Sequence, residues 1–130
     1  MLTYAEINEL IQQGAKKFYK DDSAGACDIW LTAWEHIKAI MEANNLKDIN
    51  EADELYSWDE PLANWVQDLK DELNNAGISD TGYHQKRIDF CKELYERCPS
   101  GDDYLLMRNN SRCAIAESHF KLKEYEMRDS

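Results

Sequence analysis

Apolar residues recur along most of the chain with the three- and four-residue spacing of amphipathic helices. The spacing predicts helices over residues 3–19, 24–43, 57–77, 81–97 and 102–122, with a sixth helix beginning at 124. No segment alternates apolar and polar residues with a period of two, as a half-buried strand would. The sequence therefore predicts an all-α fold of five helices and part of a sixth.

The ends of these helices carry recognisable signals. Thr3 and Glu6 have the spacing of a capping box, in which each side chain bonds the backbone N–H of the other residue, and Ser57 and Glu60 repeat it before the third helix. Gly77 is expected to end that helix in the left-handed conformation. Residues 44–57 lack a clear period and are predicted to form a loop with one helical turn.

Two groups of apolar residues mark the sides that helices are expected to bury. The four tryptophans are interpreted as a core shared by the second and third helices, and an aromatic ligand groove is the alternative. They are Trp30, Trp34, Trp58 and Trp65. The apolar positions of the fifth predicted helix are Leu105, Leu106, Cys113, Ala116 and Phe120.

Length and charge limit the classes of protein to which this chain can belong. A chain of 130 residues fits one domain with a real core, and only 5 glycines and 2 prolines favour helices over many short strands. The net charge is −11, and residues 1–82 carry all of it, because residues 83–130 are balanced. Such acidity argues against binding nucleic acid, which is itself a polyanion. We find no signal peptide and no apolar run of membrane-spanning length, and expect a cytoplasmic protein without a membrane partner.

Small and aromatic residues recur with similar spacing in two stretches of the chain. Gly14 precedes Phe18 by four residues, and "ACDIWLTAW" then places small and aromatic residues at Ala26, Trp30 and Ala33. This pattern resembles the second helix of a tetratricopeptide repeat, and the overall order is similar to that of uncharacterised bacterial helical-repeat proteins. "FKLKEY" resembles the turn between the two helices of a repeat. The resemblance covers residues 3–43 and part of 104–130. It implies a single domain over residues 1–130, built of antiparallel hairpins stacked as a right-handed array, with a concave face for a protein or peptide.

The end of the chain would then fall inside a repeat. A turn at "FKLKEY" would leave a short sixth helix and apolar surface that a neighbouring repeat normally covers. We expect that the sequence is a fragment truncated at its C-terminal end. The alternative is that a partner chain, such as a second copy in a homo-oligomer, covers Phe120, Leu122 and Tyr125.

The candidate binding groove lies in the charge-balanced half of the chain. It consists of Arg87, Arg108, Asn109 and Arg112, of which the last three fall close together on the fifth predicted helix. Guanidinium groups bind carboxylates in a two-pronged geometry, so such a groove would hold an acidic peptide. The alternative interpretation is ordinary salt bridging to neighbouring acidic side chains.

The sequence gives little support to catalysis or to a cofactor. No nucleotide-binding, G-x-S-x-G or HExxH motif occurs, and the acidic residues from Asp48 to Glu60 do not fit a calcium-binding loop. Cys91, Cys98 and Cys113 lack the closely spaced pair typical of zinc sites and are interpreted as packing residues. We therefore expect a non-enzymatic interaction module without metal or cofactor. The alternative function is a small metal- or redox-associated regulatory protein that uses these cysteines.

Overall fold

The computed structural model describes residues 2–128, and in this range the chain forms helices, turns and bends with no strand. The helices are α1 (Tyr4–Tyr19), α2 (Ser23–Ala43), α3 (Ile49–Asp53), α4 (Leu62–Ser79), α5 (Gly82–Glu96) and α6 (Leu105–Arg128). A single 3₁₀ turn, Asp102–Tyr104, precedes α6. The all-α prediction is confirmed.

The chain folds as two compact units that divide within α4, between Leu69 and Lys70. In the first unit α1 packs against α2, and in the second α5 packs against α6. Each pair is joined by a short connection, so each forms a helical hairpin.

The hairpin of the first unit depends on one close approach. The Thr3–Glu6 capping box is present at the start of α1 and confirms that prediction. One turn before the end of α1, Gly14 lies against the indole ring of Trp30, and the Trp30 Nε1–H donates to the Ile11 carbonyl at 2.9 Å. A side chain at position 14 would occupy the space of this ring, so glycine is what allows α2 to pack here.

The segment between α2 and α4 is held by acidic side chains that accept backbone hydrogen bonds. Asp48 caps the short helix α3 through the Glu51 N–H at 3.1 Å, and Asp53 accepts from the Leu62 N–H at 2.7 Å. The predicted cap at Ser57 is therefore wrong. Helix α4 begins five residues later, and its first turn is capped by an aspartate from α3 rather than by a residue next to it in sequence.

Three of the tryptophans belong to the first unit's core. Trp30, Trp34 and Trp65 are at most 2% exposed, and the rings of Trp34 and Trp65 lie 6.5 Å apart. Trp58 is half-buried and donates to the Ala52 carbonyl at 3.2 Å. The predicted contact between the second and third helices is confirmed for Trp34 and Trp65, whereas Trp30 is buried against α1 and Trp58 lies before α4.

In the second unit, Gly77 does not end its helix as predicted. It lies inside α4, where a Cβ would come within 2.6 Å of both ring nitrogens of His84. The His84 ring fills this space and stacks on Tyr125 of α6 at a centroid distance of 6.3 Å. Glycine is needed at this position because a buried ring packs against the backbone of α4, not because the helix stops.

The buried side of α6 is also different from the predicted one. All five of its predicted apolar positions, Leu105, Leu106, Cys113, Ala116 and Phe120, are exposed. The buried positions are Met107, Ser111, Ala114 and Ser118. Small side chains at the contact allow two helices to approach closely, so here alanine and serine mark the packed side better than the larger apolar residues do.

Helix α6 runs through "FKLKEY" without a turn, so the predicted hairpin bend and half-repeat are wrong. The stretch contains neither glycine nor proline, and lysine and glutamate favour a helix. Leu122 and Tyr125 are half-buried on α6 itself, whereas Phe120 is exposed. Residues 129 and 130 of the predicted sixth helix lie outside the described part of the chain.

Candidate functional site

Arg87 is a buried residue that connects three helices of the second unit. Its side chain is 6% exposed. Its Nε–H donates to the Lys70 carbonyl of α4 at 2.9 Å, and its Nη1 donates to Glu117 at 2.6 Å and to Ser118 at 3.3 Å, both on α6. The hydrogen bond from Arg87 lowers the pKa of the Glu117 carboxyl below its ordinary value. Arg87 is thus used to hold the unit together.

Other polar groups surround this arginine. Lys121 donates to the Asn74 side chain at 2.6 Å and lies 3.9 Å from Glu117. His84 is 1% exposed, and its Nδ1 has no hydrogen-bond partner within the described residues. Burial lowers the pKa of His84, and the positive charges of Lys121 and Arg87 lower it further. His84 is therefore a neutral packing residue.

The four residues of the predicted groove have different surroundings. Arg87 meets α6 at Glu117 and Ser118, more than two turns away from Arg108. Arg108 donates to the carbonyls of Pro99 and Gly101, at 2.5 and 3.1 Å, and so closes the connection between α5 and α6.

Asn109 and Arg112 are exposed on α6. The structure thus places only Arg108, Asn109 and Arg112 near one another, and a ligand role for the four residues stays a prediction.

The cysteines are free thiols in three kinds of environment. Cys91 is buried in α5, and burial raises its pKa to about 11, so it is a poor nucleophile near neutral pH. Cys98 is half-buried and its pKa is raised by the same cause. Cys113 is exposed. Among residues 2–128, no three His, Cys, Asp or Glu side chains are grouped as a metal site would require.

Two carboxyl groups in the first unit, Glu60 and Asp68, lie within hydrogen-bonding distance of each other. Burial, the hydrogen bond with Asp68 and the negative charge of that residue together raise the pKa of Glu60 to about 7, with burial the largest cause. Glu60 lies two residues before α4 and Asp68 lies in its second turn, and Glu60 is half-buried. We interpret this pair as a structural contact that depends on pH.

The outer face of α6 is an exposed surface of the second unit that carries several large apolar side chains. We define it by Leu106, Asn109, Cys113, Ala116, Phe120, Lys123 and Met127, which share the side of α6 opposite its buried residues. Leu106, Phe120 and Met127 are 71%, 64% and 69% exposed. A shallow, mostly apolar hollow of about 500 Å³ lies at its C-terminal end, between Phe120, Lys123, Glu124 and Met127. Exposed apolar surface of this extent typically marks an interaction site.

Sequence reasoning named several of these residues but assigned them to the core. The signal that distinguishes them is a strict seven-residue interval, since Leu106, Cys113, Phe120 and Met127 follow one another at that spacing. The buried positions Met107 and Ala114 have the same interval, one residue later. Helix α6 therefore has two heptad patterns on opposite sides, and larger side chains occupy the exposed one.

Comparisons with protein-family models, with curated proteins and with solved structures give no match to this chain. No helix in residues 2–128 is long and apolar enough to cross a membrane.

Proposed function

We propose that this protein is a non-enzymatic interaction module that binds an amphipathic helix of a protein partner along the outer face of α6. The observation that carries the proposal is the exposure of Leu106, Phe120 and Met127 on one side of a well-formed helix. A soluble protein that keeps such side chains in water gains free energy when a partner covers them, at about 25 cal/mol per Å² of apolar area.

The shape of this surface favours a helix as the partner. Apolar positions that recur every seven residues are those that pack against a second helix, knobs into holes. From Leu106 to Met127 the face extends over about 31 Å, the length of three heptads. A peptide that binds by adding a strand would instead need an exposed strand edge, and the described residues form no strand.

The proposal retains a tetratricopeptide-like architecture. The hairpins α1–α2 and α5–α6 have the form of the helix pairs in such repeats, and Gly14 packs against Trp30 at the position expected of a small residue in the first helix. We propose that the hairpins belong to a right-handed array. Four free cysteines also fit a reducing compartment, which supports a cytoplasmic location.

Of the residues first expected to line a groove, two keep a place in the proposed site. Asn109 is part of the outer face, and Arg112 is exposed at its edge. Arg112 would pair with a carboxylate at the edge of the partner helix, as charged residues beside a helix–helix seam commonly do. Arg87 and Arg108 contribute by holding α6 in place, because their guanidinium groups donate to α4, α6 and the preceding connection.

Site-specific photo-crosslinking tests this proposal. A benzophenone amino acid is placed at Ala116, in the middle of the outer face, and separately at Lys92, an exposed position of α5 that serves as the control. We expect protein adducts from position 116 and not from position 92, and we expect Phe120→Glu to abolish them without changing the helical circular-dichroism signal. If position 116 gives no adduct, or both positions give the same adducts, the proposal is wrong.

A further inference from the structure

The outer face of α6 is suited to a second copy of itself. Its largest side chain, Phe120, lies one turn from its smallest, Ala116. In an antiparallel pair of helices, each residue that occupies position a of the heptad faces position d of the other chain. With Phe120 facing Ala116 of the second copy, each phenylalanine ring occupies the space that the small alanine side chain leaves open. Two-fold symmetry gives this contact twice in the dimer.

The same alignment determines the other pairs along the seam. Cys113 faces Lys123 of the second copy, and Met127 faces Asn109. The two lysines are then kept apart, and each can extend its alkyl chain over a thiol while the ammonium group reaches water. A parallel pairing would place Lys123 against Lys123, and two like charges at one layer of a seam disfavour that arrangement.

The charges at the edges also match in the antiparallel arrangement. Arg112 comes beside Glu126 of the second copy, which gives two ion pairs per dimer. On the opposite edge, Glu117 of one copy approaches Glu117 of the other, and their two negative charges repel each other. That repulsion is reduced, because each Glu117 is already paired with Arg87 at 2.6 Å and lies 3.9 Å from Lys121 within its own chain.

The area available is small. In this register Leu105 and Leu106 lie beyond the central pairs, so the buried apolar surface comes mainly from Phe120 and Met127, which are 64% and 69% exposed. Two copies together bury about 550 Å² of it, below the roughly 1,200 Å² at which stable protein interfaces begin. We therefore expect a weak and reversible association.

We propose that two copies of this chain form a reversible antiparallel dimer along the outer face of α6, with Phe120 of each packed on Ala116 of the other. This inference rests on the proposed function, because it identifies the partner helix as α6 of a second copy. In such a dimer the module would lose its free docking face as its concentration rises, and any other helical partner would have to compete with self-association.

Cysteine crosslinking tests the register directly. In a Cys98→Ser background, which removes the half-buried thiol, Lys123→Cys places a new thiol opposite Cys113 of the second copy. We expect this variant to form disulfide-linked dimers under mild oxidation, at twice the mass of 15.2 kDa. We expect no disulfide-linked dimers from the Cys98→Ser parent or from Lys92→Cys in the same background, since two Cys113 residues would be about 15 Å apart along the helix pair. Dimers of the parent at the same rate would indicate a parallel pairing and overturn the inference.

Charge exchange provides a second measurement that does not depend on thiols. Light scattering across micromolar to millimolar protein should show a monomer–dimer equilibrium in the wild type. Arg112→Glu and Glu126→Arg should each weaken the dimer about threefold to tenfold, and the double exchange should restore most of it. A wild type that is monomeric at all these concentrations overturns the dimer. If position 116 then still gives adducts with another protein, the proposed function stands, and if it gives none, both fail.

Discussion

Replacing Gly14 with alanine should destabilise the first unit, although alanine is the better helix former. Within a helix, alanine is favoured over glycine by about 1 kcal/mol. A methyl group at position 14 would overlap the Trp30 indole, which is 2% exposed. Overpacking of this kind costs about 1–3 kcal/mol, and losing the hydrogen bond from Trp30 to Ile11 costs about 1–3 more. We expect a net loss of about 3 kcal/mol.

The measurement uses the fact that all four tryptophans belong to the first unit. Urea unfolding followed by tryptophan fluorescence therefore reports that unit, whereas far-ultraviolet circular dichroism reports both. Gln13→Ala, at an exposed position of the same helix, is the matched control and should change the unfolding free energy by less than about 0.5 kcal/mol.

A double substitution isolates the contact itself. If Trp30 is first changed to leucine, the space beside position 14 opens, and Gly14→Ala should then stabilise the unit by up to about 1 kcal/mol. The sign of the effect thus depends on the indole. Equal or greater stability of Gly14→Ala in the wild-type background would refute the argument, because it would mean that no close approach exists at this position.

Three further substitutions test other contacts. Arg87→Met leaves the Lys70 carbonyl and the half-exposed Glu117 carboxylate without their donor, so it should destabilise the second unit by about 2–3 kcal/mol in urea unfolding. Arg97→Met is the control, because the Arg97 guanidinium bonds its own helix, and it should destabilise the unit by less than about 1 kcal/mol. Glu60 has its pKa raised from 4.5 to about 7, so the folded state binds a proton that the unfolded state has lost, and the stability of the first unit should fall as the pH rises through this interval. Glu60→Gln should remove that fall, measured as the fluorescence midpoint at each pH, and an unchanged pH profile would contradict the assignment. Asp48→Ala should cost about 1 kcal/mol through the loss of the α3 cap, while Asp48→Asn should cost almost nothing. Equal losses from the two would show that the side-chain oxygen is not the cap.

The sequence pattern predicted the features that depend on neighbours along the chain. The capping box at Thr3 and Glu6, the limits of α1 and α2, and the burial of Trp34 all follow from local spacing. The prediction failed where a residue outside the local sequence pattern determines where a helix begins. Helix α4 begins at Leu62 because Asp53 bonds its first N–H, and nothing near Ser57 indicates this.

The error at α6 has a different cause. Ranking residues by apolar character selects Leu106 and Phe120 as core, whereas close packing against α5 selects Ala114 and Ser118. A serine scores as a surface residue unless its partner is known, and the partner of Ser118 is an arginine 31 positions earlier in the chain. The candidate site could therefore be found only after the packed side of α6 was known, although its heptad interval was visible in the sequence.

The acidic side chains that accept backbone hydrogen bonds determine which substitutions the sequence can tolerate at these positions. Asp48 and Asp53 act through a single oxygen that accepts a backbone N–H, and an asparagine offers the same oxygen without the charge. Asp22 does the same at the start of α2. Three negative charges could thus be lost by one-step substitutions that keep every one of these bonds. These three substitutions would change the net charge from −11 to −8 while each cap keeps its hydrogen-bond acceptor, so this part of the negative charge is separable from the fold.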